Sequence, residues 1–221
     1  MSRTVAVFDW DGVVIDSSTA HERSWQAIAR EENLPLPVDH FKRGFGKRNE
    51  VIIPEILGWS KEPDEIRRLS EKKEAAYRDI ARSGHIRLLP GVRELTESLA
   101  QKGIPCVIGT STHKANLALA FELFNLGHLF QGAVASEDVK RGKPDPEVFL
   151  KACALFGGDP SRSFVFEDSF SGLQAGLAGG FITIALATTH PREALEPHQA
   201  HRIVRDLSEV NPEWLVNGKI D

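Results

Sequence analysis

The chain has 221 residues, 41% hydrophobic and 26% charged, with a formal net charge of -4 and a pI of about 6.1. That composition is ordinary for a soluble globular protein and excludes extended disorder. The acidic balance gives no basic footprint for nucleic acid or anionic lipid, so any anionic ligand must be met by local positive charge.

Two cysteines, Cys106 and Cys153, each among apolar neighbours, are too few for a disulfide scaffold and read as buried thiols in a reducing compartment. The start of the chain lacks the long apolar run of a signal peptide, so the expected location is cytoplasmic. Residues 169–191 carry no Asp, Glu, Lys or Arg and are long enough to span a bilayer. Their Gly, Ser, Thr and Gln content fits a buried helix followed by a strand better.

In chain order, residues 4–8 form a β-branched, apolar run that stops at Asp9, as a buried parallel strand stops at its C-terminal loop. Residues 17–84 then read as helical throughout. Trp25, Ile28 and Ala29 share one face, Ile52, Ile56 and Leu57 another, and a charged helix spans 63–82. Cap and turn residues at Asp16-Ser17-Ser18 and Ser83-Gly84-His85 suit hinges at its two ends. From residue 85 onward helices and strands alternate. Helices are predicted over 91–102, 113–126, 146–156 and 169–178, and strands over 105–109, 132–135, 163–166, 181–186 and 201–204. This pattern predicts an α/β fold with a doubly wound parallel sheet. The predicted core covers 1–16 and 85–221, and the inserted helical domain covers 17–84.

The chemistry gathers where the strands end. Asp9-Trp10-Asp11-Gly12-Val13 sets two carboxylates just beyond the first strand. At ~4 Å and an effective dielectric near 20, such a pair repels by about 4 kcal/mol, so it needs a cation or a shared proton. Read alone, it is also compatible with a solvated acidic turn. Glu167-Asp168 follows another strand, where Asp168 or Ser169 could equally cap the next helix. Were these strands neighbours, their carboxylates would form an oxygen-rich site suited to magnesium. Thr110 and Ser111 end a third strand with hydroxyls, and Lys143 sits in the loop Arg141-Gly142-Lys143-Pro144. Together these groups supply a carboxylate nucleophile, metal ligands, a hydroxyl and an ammonium for phosphoryl transfer.

On these residues, nearly the whole chain resembles the haloacid dehalogenase superfamily, and within it the β-phosphoglucomutase-like phosphatases and mutases with a helical cap. The resemblance implies Asp9 as nucleophile, Asp11 as general acid/base, and Thr110 and Lys143 as phosphate-binding groups. It also implies magnesium held by the Asp9 carboxylate, the Asp11 backbone carbonyl and Asp168, with Glu167 alongside or one water away. As the acid for the leaving alkoxide, Asp11 must enter the reaction protonated. An acid at this position favours phosphate esters over the carbon-centred chemistry of dehalogenases. A phosphate-accepting signalling domain also combines Asp, Thr/Ser and Lys at strand ends, but leaves the helical insertion and the Asp-x-Asp unexplained.

Substrate choice is expected in the insertion, from His21, Trp25, Lys47, Arg48 and Lys73, with Ser111 on the core side. Trp25 also reads as a core residue, and Lys73, within Glu71-Lys72-Lys73-Glu74, as a solvated helix charge. After Thr110 the chain reads Ser111-Thr112-His113-Lys114, where the mutases carry lysine one position earlier, which weakens that reading. The expected function is a monomeric phosphatase of a small phosphorylated metabolite, a sugar phosphate above all. β-Phosphoglucomutase and a silent phosphometabolite sensor are the alternatives.

Overall fold

The computed structural model describes residues 3–220. Strand β1 (Ala6–Phe8) is followed by the two-residue β2 (Ile15–Asp16). The insertion then runs through α1 (Ser18–Glu31), α2 (His40–Gly44), α3 (Asn49–Val51), a π-helical turn (Ile52–Leu57) and α4 (Pro63–Arg82). The chain returns through β3 (Arg87–Leu88), α5 (Val92–Gln101), β4 (Cys106–Gly109), α6 (Lys114–Phe124) and β5 (Gly132–Val134). It ends with α7 (Glu147–Ala154), β6 (Phe164–Glu167), α8 (Phe170–Ala178), β7 (Ile182–Leu186), α9 (Arg192–Leu195), β8 (Arg202–Val204) and α10 (Glu213–Asn217).

The main sheet has the order β5-β4-β1-β6-β7-β8, and every neighbouring pair is parallel. The chain winds from β1 to one side and then crosses back to the other, so the order reverses between β1 and β6. In open parallel sheets that reversal opens a crevice beyond the carboxyl ends of the strands. Both sheet faces are covered, which is why β1 reads as an unbroken apolar run. Ala6 and Phe8 pack into one cluster with Ile108 and Phe166, while Val5 and Val7 pack into another with Phe149 and Phe181. Phe8 stands in register with Ile108 and with Phe166, so the residues after each emerge together at one edge.

The insertion has its own small core of Trp25, Ile28, Ile52, Ile53, Ile56, Leu57 and Leu69. Tyr77 and Ala81, in the second half of α4, belong instead to the main core. The insertion is not helical throughout, as the sequence pattern had suggested. Pro35 and Pro37 lie in an irregular stretch, and Pro54, which cannot donate a backbone hydrogen bond, falls within the π-helical turn. Its two connections to the core pair as an antiparallel ribbon, Ile15 with Leu88 and Asp16 with Arg87. Strands of two residues carry no periodicity, so this ribbon has no sequence signal.

Candidate active site

Asp9 is the first residue past β1, and its backbone N–H donates to the Phe166 carbonyl at 3.0 Å, tying the nucleophile candidate to β6. Its carboxylate points into a buried cluster. Lys143 Nζ stands 2.8 Å from Asp9 Oδ1 and 2.7 Å from Glu167 Oε2, with the lysine and both acids buried. The other Glu167 oxygen, Oε1, accepts from the backbone N–H groups of Asp168 and Ser169 at 3.0 and 2.8 Å. Burial pushes Glu167 up, but Lys143 and these donors outweigh it and hold the carboxyl below its ordinary value. Ser169 caps α8 by accepting from the Gly172 N–H.

Burial, with the charge of Glu167, pushes Asp9 up to about 7 against the pull of Lys143. Burial likewise raises Asp168 well above the ordinary range, helped by Glu167 and Asp9. Thr189 donates to Asp168 Oδ2, while Oδ1 is buried without a hydrogen-bond partner. Oxygens of Asp9, Glu167 and Asp168 lie within 4.8 Å of one another. Three clustered carboxylates, two of them paired with the Lys143 ammonium, with an orphaned oxygen among them, fit a hard divalent cation. Gly12 makes room for this arrangement, since a Cβ there would sit 1.8 Å from Asp168 Oδ2 at a φ of +80°.

The Asp11 carboxylate is engaged not by Lys143 but by Ser17, His21 and Thr112. Oδ1 accepts from Ser17 Oγ at 2.5 Å and lies 3.3 Å from His21 Nε2, and Oδ2 accepts from the Thr112 hydroxyl. Burial raises Asp11, yet His21, Ser17 and Thr112 together bring its carboxyl below the ordinary value. The donors around it favour the carboxylate.

Thr110, buried after β4, accepts from the Thr112 N–H at 3.1 Å and lines the same crevice as Asp9, Asp11 and Ser111. The crevice encloses about 670 Å³ of empty space, its open mouth included. His21, Trp25, Lys47 and Lys73 line it from the insertion, joined by Phe41, Phe45 and Ile52. Lys73 is no solvated charge: it is 2% exposed, 2.8 Å from His21 Nδ1 and 2.8 Å from Glu74 Oε1, and it lies over the Trp25 ring. Trp25 serves the insertion's core and the crevice wall together. Arg48 lies outside the crevice lining, next to Glu50 and close enough to Gly142 that a Cβ there would meet its Cδ at 2.7 Å. Gly46 packs as closely on Ser169, so the 44–48 loop rests on the core.

Sequence reasoning missed Ser17, Glu74, Thr112, Asn116 and Thr189. Thr112 and Thr189 follow strand ends, a position that could have flagged them. Glu74 and Asn116 sit within ordinary helical patterns that carry no such signal.

A family model described as haloacid dehalogenase-like hydrolase matches residues 4–180. The chain is 35% identical over 93% of its length to the chloroplastic 5-amino-6-(5-phospho-D-ribitylamino)uracil phosphatase of Arabidopsis thaliana, and spans 55% of that protein. It is 30% identical to the validoxylamine A 7'-phosphate phosphatase of Streptomyces hygroscopicus subsp. limoneus, covering 93% of this chain and 95% of that one. The crystal structure of a hydrolase from Pseudomonas syringae superposes with a TM-score of 0.84 at 27% identity, over 93% of this chain and 94% of that one.

Proposed function

The chain belongs to the haloacid dehalogenase-like hydrolase family, and from that premise we propose that it is a magnesium-dependent phosphohydrolase of a small phosphorylated, polyhydroxylated metabolite. One observation carries the assignment of roles. Asp9 and Asp11, two residues apart, both line the crevice but have separate partners, Asp9 the Lys143 and carboxylate cluster and Asp11 the groups Ser17, His21 and Thr112. Nucleophile and proton carrier are thereby held at one crevice by separate sets of partners. The names of the relatives, phosphatases of a ribityl derivative and of validoxylamine A, support a substrate bearing its phosphate on a polyhydroxylated carbon skeleton.

Asp9, Asp168 and the Asp11 carbonyl would hold the magnesium, with Glu167 near it. When bound, that ion supplies positive charge for the transferring phosphoryl oxygens. An Asp9 carboxylate oxygen attacks phosphorus in line, the bond from phosphorus to the ester oxygen breaks, and the departing oxygen takes a proton from Asp11. Lys143 faces the phosphoryl oxygens, and Thr110 and Ser111 offer hydroxyls to them. Asp11, once ionised, accepts a proton from water as that water attacks phosphorus. The bond to Asp9 then breaks, and inorganic phosphate leaves. Asp11 must carry its proton when the ester oxygen leaves, and recovers one from the attacking water.

A panel of sugar and sugar-alcohol phosphates, assayed with magnesium for free phosphate, tests the reading. Stoichiometric release is expected, and Asp9→Asn should abolish it. Conversion of β-glucose 1-phosphate to glucose 6-phosphate with little release would instead make the protein a mutase.

A further inference from the structure

The buried polar groups under the insertion form a hydrogen-bonded chain that the scheme above does not use in full. His21 Nε2 lies 3.3 Å from Asp11 Oδ1, and its Nδ1 lies 2.8 Å from Lys73 Nζ. An ammonium can only donate, so Nδ1 accepts and Nε2 carries the hydrogen toward Asp11. Lys73 Nζ also donates to Glu74 Oε1 at 2.8 Å, and the second Glu74 oxygen accepts from Asn116 Nδ2 at 2.5 Å. Asn116 is in the first turn of α6, on the segment that carries Thr112, and Thr112 donates to the other oxygen of Asp11. From Asp11 the chain leaves the core through His21, crosses the insertion through Lys73 and Glu74, and re-enters the core at Asn116, four residues along the backbone from Thr112.

Asn116 is 1% exposed, and both ends of its amide are engaged on α4, since its Oδ1 accepts from Arg78 at 3.1 Å. A shift of α4 off α6 would strand one oxygen of a buried glutamate, a cost of a few kcal/mol at most sites. It would also loosen the lysine that fixes the His21 tautomer.

We propose that Asn116 is a positioning residue which, by anchoring this chain from the core side, holds Asp11 in place for proton transfer only while α4 is seated on α6. The proposal rests on the reading of Asp11 as the proton carrier. It couples seating of the insertion to the acid, through a residue distinct from the phosphate-binding groups.

Leaving-group basicity supplies the test. Single-turnover release of phenol from phenyl phosphate needs a proton at the departing oxygen, whereas release of p-nitrophenolate from p-nitrophenyl phosphate does not. With magnesium present, Asn116→Leu should slow the phenyl phosphate reaction by about tenfold or more and the p-nitrophenyl reaction by less than about threefold, general-acid contributions being roughly 10²–10⁴-fold. The retained nitrophenyl rate also reports that the variant is folded. Should the leucine variant be inactive on both, Asn116→Asp, isosteric but repelled by Glu74, is read by the same ratio. Equal losses on both esters in the aspartate variant, or no loss on either, overturn the proposal. Asp11→Asn is run in parallel. If it fails to discriminate between the esters, the assignment of Asp11 falls first and takes this inference with it. If Asp11→Asn discriminates and the Asn116 variants do not, only the inference falls.

Discussion

Lys143 Nζ lies 2.7 Å from Glu167 Oε2, and both side chains are essentially sealed from solvent. The same ammonium reaches Asp9, so one cation balances two carboxylates, and burial, which opposes its charge, is outweighed by them. Lys143→Met should lower kcat by roughly 10²–10³-fold, the usual effect of removing one group that stabilises the transition state. Lys143→Arg should recover little, because a planar guanidinium does not fit a site built around a point charge. Activity of Lys143→Met within tenfold of the parent would remove this lysine from the chemistry.

A smaller change reaches the same pair from behind. A Cβ on Gly172 would sit 1.8 Å from Glu167 Oε2, the oxygen that Lys143 contacts. Glu167 cannot simply swing aside, since its other oxygen is held by two backbone N–H groups. Gly172→Ala should therefore cost roughly 1–3 kcal/mol of stability, as overpacking does, and lower kcat with it. Thermal melting and phosphate release check both. An unchanged kcat would show that the precise seat of Glu167 is dispensable.

Much of this was legible in the sequence where periodicity and strand ends carry information. The run before Asp9, those before Glu167 and Thr110, and the switch to helical spacing after residue 17 correspond to elements in the structure. Packing chemistry between elements was not legible. Nothing in Glu71-Lys72-Lys73-Glu74 distinguishes Lys72, which pairs at the surface with Glu31 and Glu32, from Lys73, which is buried between His21 and Glu74. Adjacent helix positions differ by about 100° in direction, and only the placement of α1 and α6 decides which of them meets solvent. For the same reason the side-chain directions of Asp9 and Asp11 emerge from the fold rather than from the motif.

Metal binding should release protons. In the metal-free protein burial raises both Asp9, to about 7, and Asp168. The folded state thus binds protons that the unfolded chain gives up near 3.8. Stability from Asp9 is full below that value and is lost as pH rises through about 7, and Asp168 acts in the same direction. A divalent ion replaces the protons, so magnesium affinity should rise between pH 6 and 8, and magnesium should remove the loss of stability on the alkaline side. Calorimetric titrations in buffers of differing ionisation enthalpy measure the released protons directly. Magnesium affinity independent of pH across that window would contradict the shared-proton picture of the cluster.

The opposite sign applies to Glu74. Burial disfavours its charge, but the Lys73 ammonium, beside it and hydrogen-bonded to it, holds it far below its ordinary 4.5. A depressed carboxyl contributes stability that is complete above 4.5 and drains away as pH falls below it toward the folded value. Glu74→Gln should thus flatten the acid limb of the stability profile. At neutral pH it should cost roughly 3–5 kcal/mol, because Lys73 would be left buried without its counter-charge. Lys73→Met together with Glu74→Gln removes the uncompensated cation and should recover much of that loss, an interaction energy that a double-mutant cycle isolates. Denaturant unfolding of the four proteins at pH 7 and pH 4 checks the sign and the coupling at once. If the double variant is no more stable than Glu74→Gln at pH 7, the buried pair is not what stabilises this interface.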